Sequence, residues 1–216
     1  MIHLEKLNKQ YCTRSGEIKA LDDVSLHVKE GELVVVRGPS GSGKTTLLLS
    51  IGGMLRPTKG QVIVDNNDIY SLSNRERARF RAENIGFVFQ MFHLVPYLSI
   101  FENVLLSSGI GTKQKRQKEV EKLLKRLNLS DRLYHKPSEL SAGEKQRTAI
   151  ARALINQPKI ILADEPTGNL DPENSEQIIG YLEEFHQAGG TVIVVTHGKL
   201  VDQYTDRIIY LRNGQI

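Results

Sequence analysis

Val24, Leu26 and Val28 alternate with polar neighbours, the two-residue period of a strand with one buried face. The stretch 2–36 reads as short strands joined by turns. Gly31-Glu32 makes one turn, and 33–36 is then apolar without a break, as in a strand buried on both sides. That run feeds a glycine-rich loop. A helix is predicted from about 44 to 51, ended by Gly52-Gly53. Residues 61–65 and 85–89 read as two further strands. From 90 to 140 the pattern changes. Pro96 and Gly109 break the chain, and 113–127 predicts a strongly charged helix with Val120, Leu123, Leu124 and Leu127 on one face. A helix over 144–156 is stopped by Gln157-Pro158. Strand and helix then alternate over 159–163, 172–187, 191–196, 198–204 and 207–211. Such alternation implies an α/β fold with a mostly parallel sheet covered by helices. The stretch from 90 reads as a helical insert in that core.

The 216 residues suit one substantial domain. A chain of this size buries roughly 70% of its unfolded surface, so it needs no disulfide or structural metal. Cys12 is the only cysteine, which fits a reducing compartment. Met1 opens into Ile-His-Leu-Glu-Lys-Leu, without the features of a signal peptide. No apolar run approaches the ~20 residues that span a bilayer. A soluble, cytoplasmic protein is expected, touching a membrane only through a partner. The net charge of +4 is too small to argue for a nucleic-acid partner, and none is expected.

Two motifs carry chemistry. Residues 38–45 read Gly-Pro-Ser-Gly-Ser-Gly-Lys-Thr, a complete phosphate-binding loop between an apolar strand and a helix. Within Gly38, Pro39, Ser40, Gly41, Ser42 and Gly43, the glycines let the backbone curl so that successive N–H groups face an anion. The helix that follows adds its free N–H groups and its dipole. Lys44 is expected on the β- and γ-phosphates, the Thr45 hydroxyl on magnesium, and Thr46 to continue the phosphate contacts. The second motif is the strand 160–163 ending in Asp164-Glu165. Asp164 can hold magnesium, and Glu165 can take a proton from an attacking water. Together they predict a protein that binds a nucleoside triphosphate with Mg2+ and hydrolyses it.

A third segment narrows the class. Leu140-Ser141-Ala142-Gly143-Glu144 resembles the L-S-G-G-Q signature of ATP-binding cassette (ABC) transporter ATPases, and the resemblance covers essentially the whole chain in order. It implies that the nucleotide is ATP, and that the fold is a P-loop NTPase with a RecA-like core, an N-terminal antiparallel β subdomain and an inserted α-helical subdomain. The core would comprise 1–89 and 144–216, and the insert 90–143 with the signature. It also implies residue roles. Tyr11 would stack on adenine, Gln90 would ligate magnesium and water, and Asp171 would lie in the loop Asn169-Leu170-Asp171 near nucleotide. His197 would donate to the γ-phosphate. Ser141, Ala142, Gly143 and Glu144 would cap the nucleotide of a second copy in a head-to-tail homodimer. Two positions depart from the signature. Ala142 would strain a turn if its φ were positive, and Glu144 adds a negative charge near a triphosphate.

Residues 85–104 and 163–171 are similar to ATPases of the lipoprotein-releasing and macrolide-export type, which partner an integral membrane permease. A regulatory ATPase of the cell-division type is the alternative. A DNA-repair ATPase would need much longer insertions. Phe92, Leu94, Val95, Pro96, Tyr97 and Leu98 read either as an exposed patch for a permease helix or as packing inside the insert. The other five histidines read as ordinary polar residues, and the basic residues of 113–126 as a solvated face.

Overall fold

The computed structural model describes residues 1–13, 16–109 and 112–216. Two sheets build it. Four strands form an antiparallel sheet in the order β2-β1-β4-β5: β1 (Ile2–Thr13), β2 (Gly16–Val28), β4 (Lys59–Val64) and the two-residue β5 (Asn67–Asp68). Five strands form a wholly parallel sheet in the order β6-β7-β8-β3-β9: β3 (Leu33–Arg37), β6 (Ile85–Phe89), β7 (Ile160–Asp164), β8 (Thr191–Val195) and β9 (Arg207–Tyr210).

The parallel strands read as continuous apolar runs because both their faces are covered. Val34 and Val36 of β3 join one core cluster with Leu47, Leu48 and Ile51 of α1 (Lys44–Ile51) and with the antiparallel sheet. Leu33 and Val35 point the other way. There they meet α3 (Ile100–Ser107), α4 (Lys113–Arg126), α5 (Ala142–Leu154) and α6 (Pro172–Gln187) through Ile100, Val104, Val120, Leu124, Ile150 and Ile178. Helix α1 thus lies between the sheets, with its first turn at the carboxyl edge of β3.

Four expectations are corrected. The opening strands are not short, because β1 and β2 pair along almost their full length, with bulges near Leu7. Helix α2 (Asn74–Asn84) has no counterpart in the pattern, since no side chain on it is fully buried; a Ser73–Glu76 capping box starts it. The stretch expected as a helix over 198–204 is a 3₁₀ segment, Leu200–Tyr204. Helix α5 starts at Ala142 rather than 144, because Ser141 caps it.

Candidate active site

The phosphate loop is tight because it has no room to be otherwise. A Cβ on Gly38 would lie 2.0 Å from the Leu211 carbonyl oxygen, and one on Gly43 would lie 2.1 Å from that of Ala20. Gly43 also holds φ at 103°, a left-handed value that glycine adopts freely. From this turn α1 leaves with its first N–H groups unpaired within the helix. Lys44 is nearly buried, and its ammonium donates to the carbonyls of Gly38 (2.8 Å) and Pro39 (2.9 Å). The charge therefore sits inside the curl of the loop. Ser42 Oγ is buried without a partner among the described residues.

β7 delivers the carboxylates to the same place. Thr45 Oγ1 donates to Asp164 Oδ2 at 2.8 Å, which ties α1 to the end of β7. Burial pushes the Asp164 carboxyl up; the Thr45 hydroxyl opposes this, and the neighbouring Glu165 charge adds to it. Glu165 has φ at 45°, an uncommon left-handed value for a non-glycine residue. Its N–H donates to Val195 O (2.8 Å), and its Oε2 accepts from the His197 backbone N–H (3.2 Å). Glu165 Oε1 lies 3.2 Å from His197 Nε2, yet without the alignment of a hydrogen bond. A carboxylate oxygen is thus left without a hydrogen bond beside an exposed imidazole.

These groups line one open cavity of about 650 Å³. It brings together Ser40, Gly41, Gly43, Lys44, Thr45, Thr46, Gln90, Asp164, Glu165 and His197. Ala20, Thr167, Gly168, Thr196 and Gly198 line it too and were not anticipated. Their one signal in the sequence is adjacency to Glu165 and His197; Ala20 had none. Gln90 follows the last residue of β6 and leans on the loop after Glu165. A Cβ on Gly168 would lie 2.8 Å from its Nε2, and Asn169 Nδ2 donates to its carbonyl at 3.3 Å.

The donor set suits a polyphosphate: a cationic ammonium, a glycine nest and a helix start around a cavity. Among the described residues no three His, Cys, Asp or Glu side chains converge as a metal site. That is what magnesium needs least, since it takes one or two carboxylates and completes its shell with phosphate oxygens and water. Residues 21–168 match the ABC transporter family. The chain belongs to the ABC transporter family. It is 44% identical over 202 residues to the lipoprotein-releasing system ATP-binding protein LolD of Porphyromonas gingivalis, covering 92% of each chain. It is 39% identical to the macrolide export ATP-binding/permease protein MacB of Vibrio parahaemolyticus, with all of this chain on 33% of that one. A solved dimer of the ATP-binding cassette MJ0796, in a post-hydrolysis state bound to ADP and Pi, superposes with a TM-score of 0.94 at 43% identity, covering all of this chain and 96% of that one. MJ0796 is a protein of Methanocaldococcus jannaschii.

The remaining predicted residues of this ABC cassette lie off the cavity. Ser141 is the N-cap of α5: its Oγ accepts from Glu144 N (3.2 Å), and Glu144 Oε2 accepts from Ser141 N (2.8 Å). Ala142 is the first helical residue and is not among those with positive φ, so its methyl strains nothing. Glu144 is also paired with Arg132 at 2.9 Å. Burial pushes its carboxyl up, but the Ser141 N–H, the Arg132 guanidinium and the Ser141 hydroxyl together hold it below the usual range. Its charge is therefore already committed. Gly143 is buried, and a Cβ there would lie 2.0 Å from Asn174 Oδ1. Asp171 caps α6, accepting from Asn174 N (3.0 Å) and Asn174 Nδ2 (2.6 Å). Tyr11 stands on β1, 39% exposed as a residue, with Lys9 Nζ 5.2 Å from its ring centroid. It does not line the cavity.

Proposed function

We propose that this cassette hydrolyses ATP to drive an integral membrane permease of the lipoprotein-release or export type, from the cytoplasmic face of the membrane. The observation that carries it is the meeting of Lys44, Thr45–Asp164 and Glu165–His197 on one cavity. Ser141, Gly143 and Asp171 lie outside that cavity. A nucleotide held by the loop would be closed over by the signature of a second copy, so the working unit is an ATP-dependent homodimer. Tyr11 would stack on adenine at the rim. The likeness to LolD and MacB supports the branch, and the dimeric MJ0796 supports the assembly.

The chemistry follows from these residues. Lys44 would exchange its two loop carbonyls for phosphate oxygens, so its charge is available without being exposed to water. Thr45, Gln90 and Asp164 would hold magnesium, which when bound neutralises charge on the β- and γ-phosphates. Glu165 would accept the proton of the attacking water through the oxygen that has no hydrogen bond. His197 would donate to the γ-phosphate as charge develops there. Tyr97, 73% exposed beyond Gln90, is the exposed centre of the patch that a permease helix would meet. Phe92, Leu94, Val95 and Leu98 are half-buried, so the patch is partly packing.

The test is Glu165→Gln. ATP hydrolysis should fall by about 100-fold or more, while ATP binding persists and light scattering shows an ATP-dependent doubling of the 24.3 kDa mass. Hydrolysis at the wild-type rate would remove Glu165 from the mechanism.

A further inference from the structure

The charge of the molecule is not spread evenly. Helix α4 carries seven basic and two acidic residues among its 14, a net of five positive charges, against +4 for the whole chain. Everything else is within one charge of neutral, so the net positive charge of the molecule resides at this helix.

Packing decides which way those charges point. Val120, Leu124 and Leu127 are fully buried, and Leu123 packs on the same cluster. At 3.6 residues per turn, Lys115, Lys118, Lys122 and Lys125 fall within about 80° of arc, nearly opposite that apolar face. All four are exposed. Lys115 stands 4.0 Å from Glu119, a loose pair, and Arg126 at the helix end is taken by Glu184 at 2.6 Å. Lys118, Lys122 and Lys125 have no ion pair or side-chain hydrogen bond among the described residues. A helix face meant only for water gains from alternating signs at i,i+4, whereas like charges at i,i+3 and i,i+4 repel. Glu119 and Glu121 flank the row 115, 118, 122, 125 at i,i+3 and i,i+4 and offset part of that repulsion, but two acids leave the four lysines with a net excess of two positive charges.

We propose that this lysine stripe binds an anionic bilayer surface directly. The occupant is chosen by complementarity. Lysine is a compact point charge on a flexible stem, suited to a layer of phosphates with no fixed geometry. The row runs along one convex helix about 20 Å long. Helix α4 has no aromatic residue, so it lacks the stacking platform and concave groove that single strands of nucleic acid require. The contact adds to attachment through a permease and does not rest on it, because it needs no second protein.

Sedimentation of the full chain with vesicles tests this, with phosphatidylcholine alone set against phosphatidylcholine mixed with phosphatidylglycerol. Binding is expected only to the anionic vesicles, and it should be lost between about 50 and about 500 mM salt. The variant K118Q/K122Q/K125Q should bind at least about tenfold more weakly. The variant K6Q/K29Q/K59Q, changed at three exposed lysines elsewhere, should bind as the wild type does. Circular dichroism and ATP binding of both variants report that they fold. No binding of the wild type to anionic vesicles, equal binding of the stripe variant, or displacement of wild type from vesicles by a DNA duplex would each overturn the proposal.

Discussion

Lys44 shows how much of this site is settled by single residues before any ligand arrives. A nearly buried ammonium needs partners, and the loop supplies two of its own carbonyls. Lys44→Ala therefore removes more than a phosphate contact: it leaves both carbonyls short of a donor. The variant should lose nucleotide binding. Its nucleotide-free form should also unfold with about 1–3 kcal/mol less stability, as a urea titration would measure. An unchanged urea midpoint would mean that water replaces the ammonium at no cost. The identity of Lys44 was legible from spacing alone, but its resting partners were not, because they are backbone groups. Glu165 is the same kind of case. Its carboxylate was predictable from Asp164-Glu165, whereas its φ of 45° is a conformation that a sequence does not announce. Such a backbone persists only where its surroundings hold it, here through Glu165 N to Val195 O.

Between residues and domains, the helix starts carry the information. Ser73/Glu76, Ser99/Glu102 and Ser141/Glu144 form three capping boxes with the same spacing. In each the acid is held below its ordinary range: Glu76 by the Ser73 hydroxyl and N–H, and Glu102 by the Ser99 N–H and hydroxyl. In Glu144 the same bonds and Arg132 overcome burial. A lowered folded-state value means stability that is present above about pH 4.3, the unfolded value, and lost as pH falls through the folded values. The urea midpoint should therefore drop below about pH 4. It should drop less steeply in the variant E76Q/E102Q/E144Q; an equal slope would assign acid lability to other carboxylates. The join of α5 to α6 gives a second prediction. Gly143→Ala places a methyl where Asn174 Oδ1 stands, and should cost about 1–3 kcal/mol. Adding Asn174→Gly should recover part of that, since the obstacle is a side chain. Ala142→Gly should gain nothing, because Ala142 is helical and glycine lowers helix propensity. Strands and apolar helices were legible because their burial is periodic. Helix α2 was not, since its residues bury no full side chain, and the signature helix was placed two residues late because Ser141 was read for a ligand rather than as a cap.

Across the whole molecule, the two sets of residues that the proposed function joins lie apart. The cavity holds the phosphate loop, both carboxylates and His197, while Ser141 and Gly143 sit at a helix start off its wall. Within the chain one link between them is Gln146 Nε2 of α5, which donates to Pro166 O beside Glu165 at 2.7 Å. In the proposed two-fold assembly a site divided in this way would be completed by symmetry, each copy giving its loop to one site and its signature to the other. Mixing two dead variants tests the division directly. Lys44→Ala spoils the loop and leaves the signature intact; Ser141→Arg should block the signature and leave the loop intact. Each alone should lack ATP hydrolysis. In an equal mixture half of the dimers pair one of each, and each mixed dimer has one site built from a sound loop and a sound signature. If the two sites act independently, the mixture should regain about a quarter of wild-type activity. If loop and signature served the same site within one chain, both variants would stay dead in any proportion. The recovered fraction, not the activity of either variant, therefore reads out whether the cap comes from the second copy.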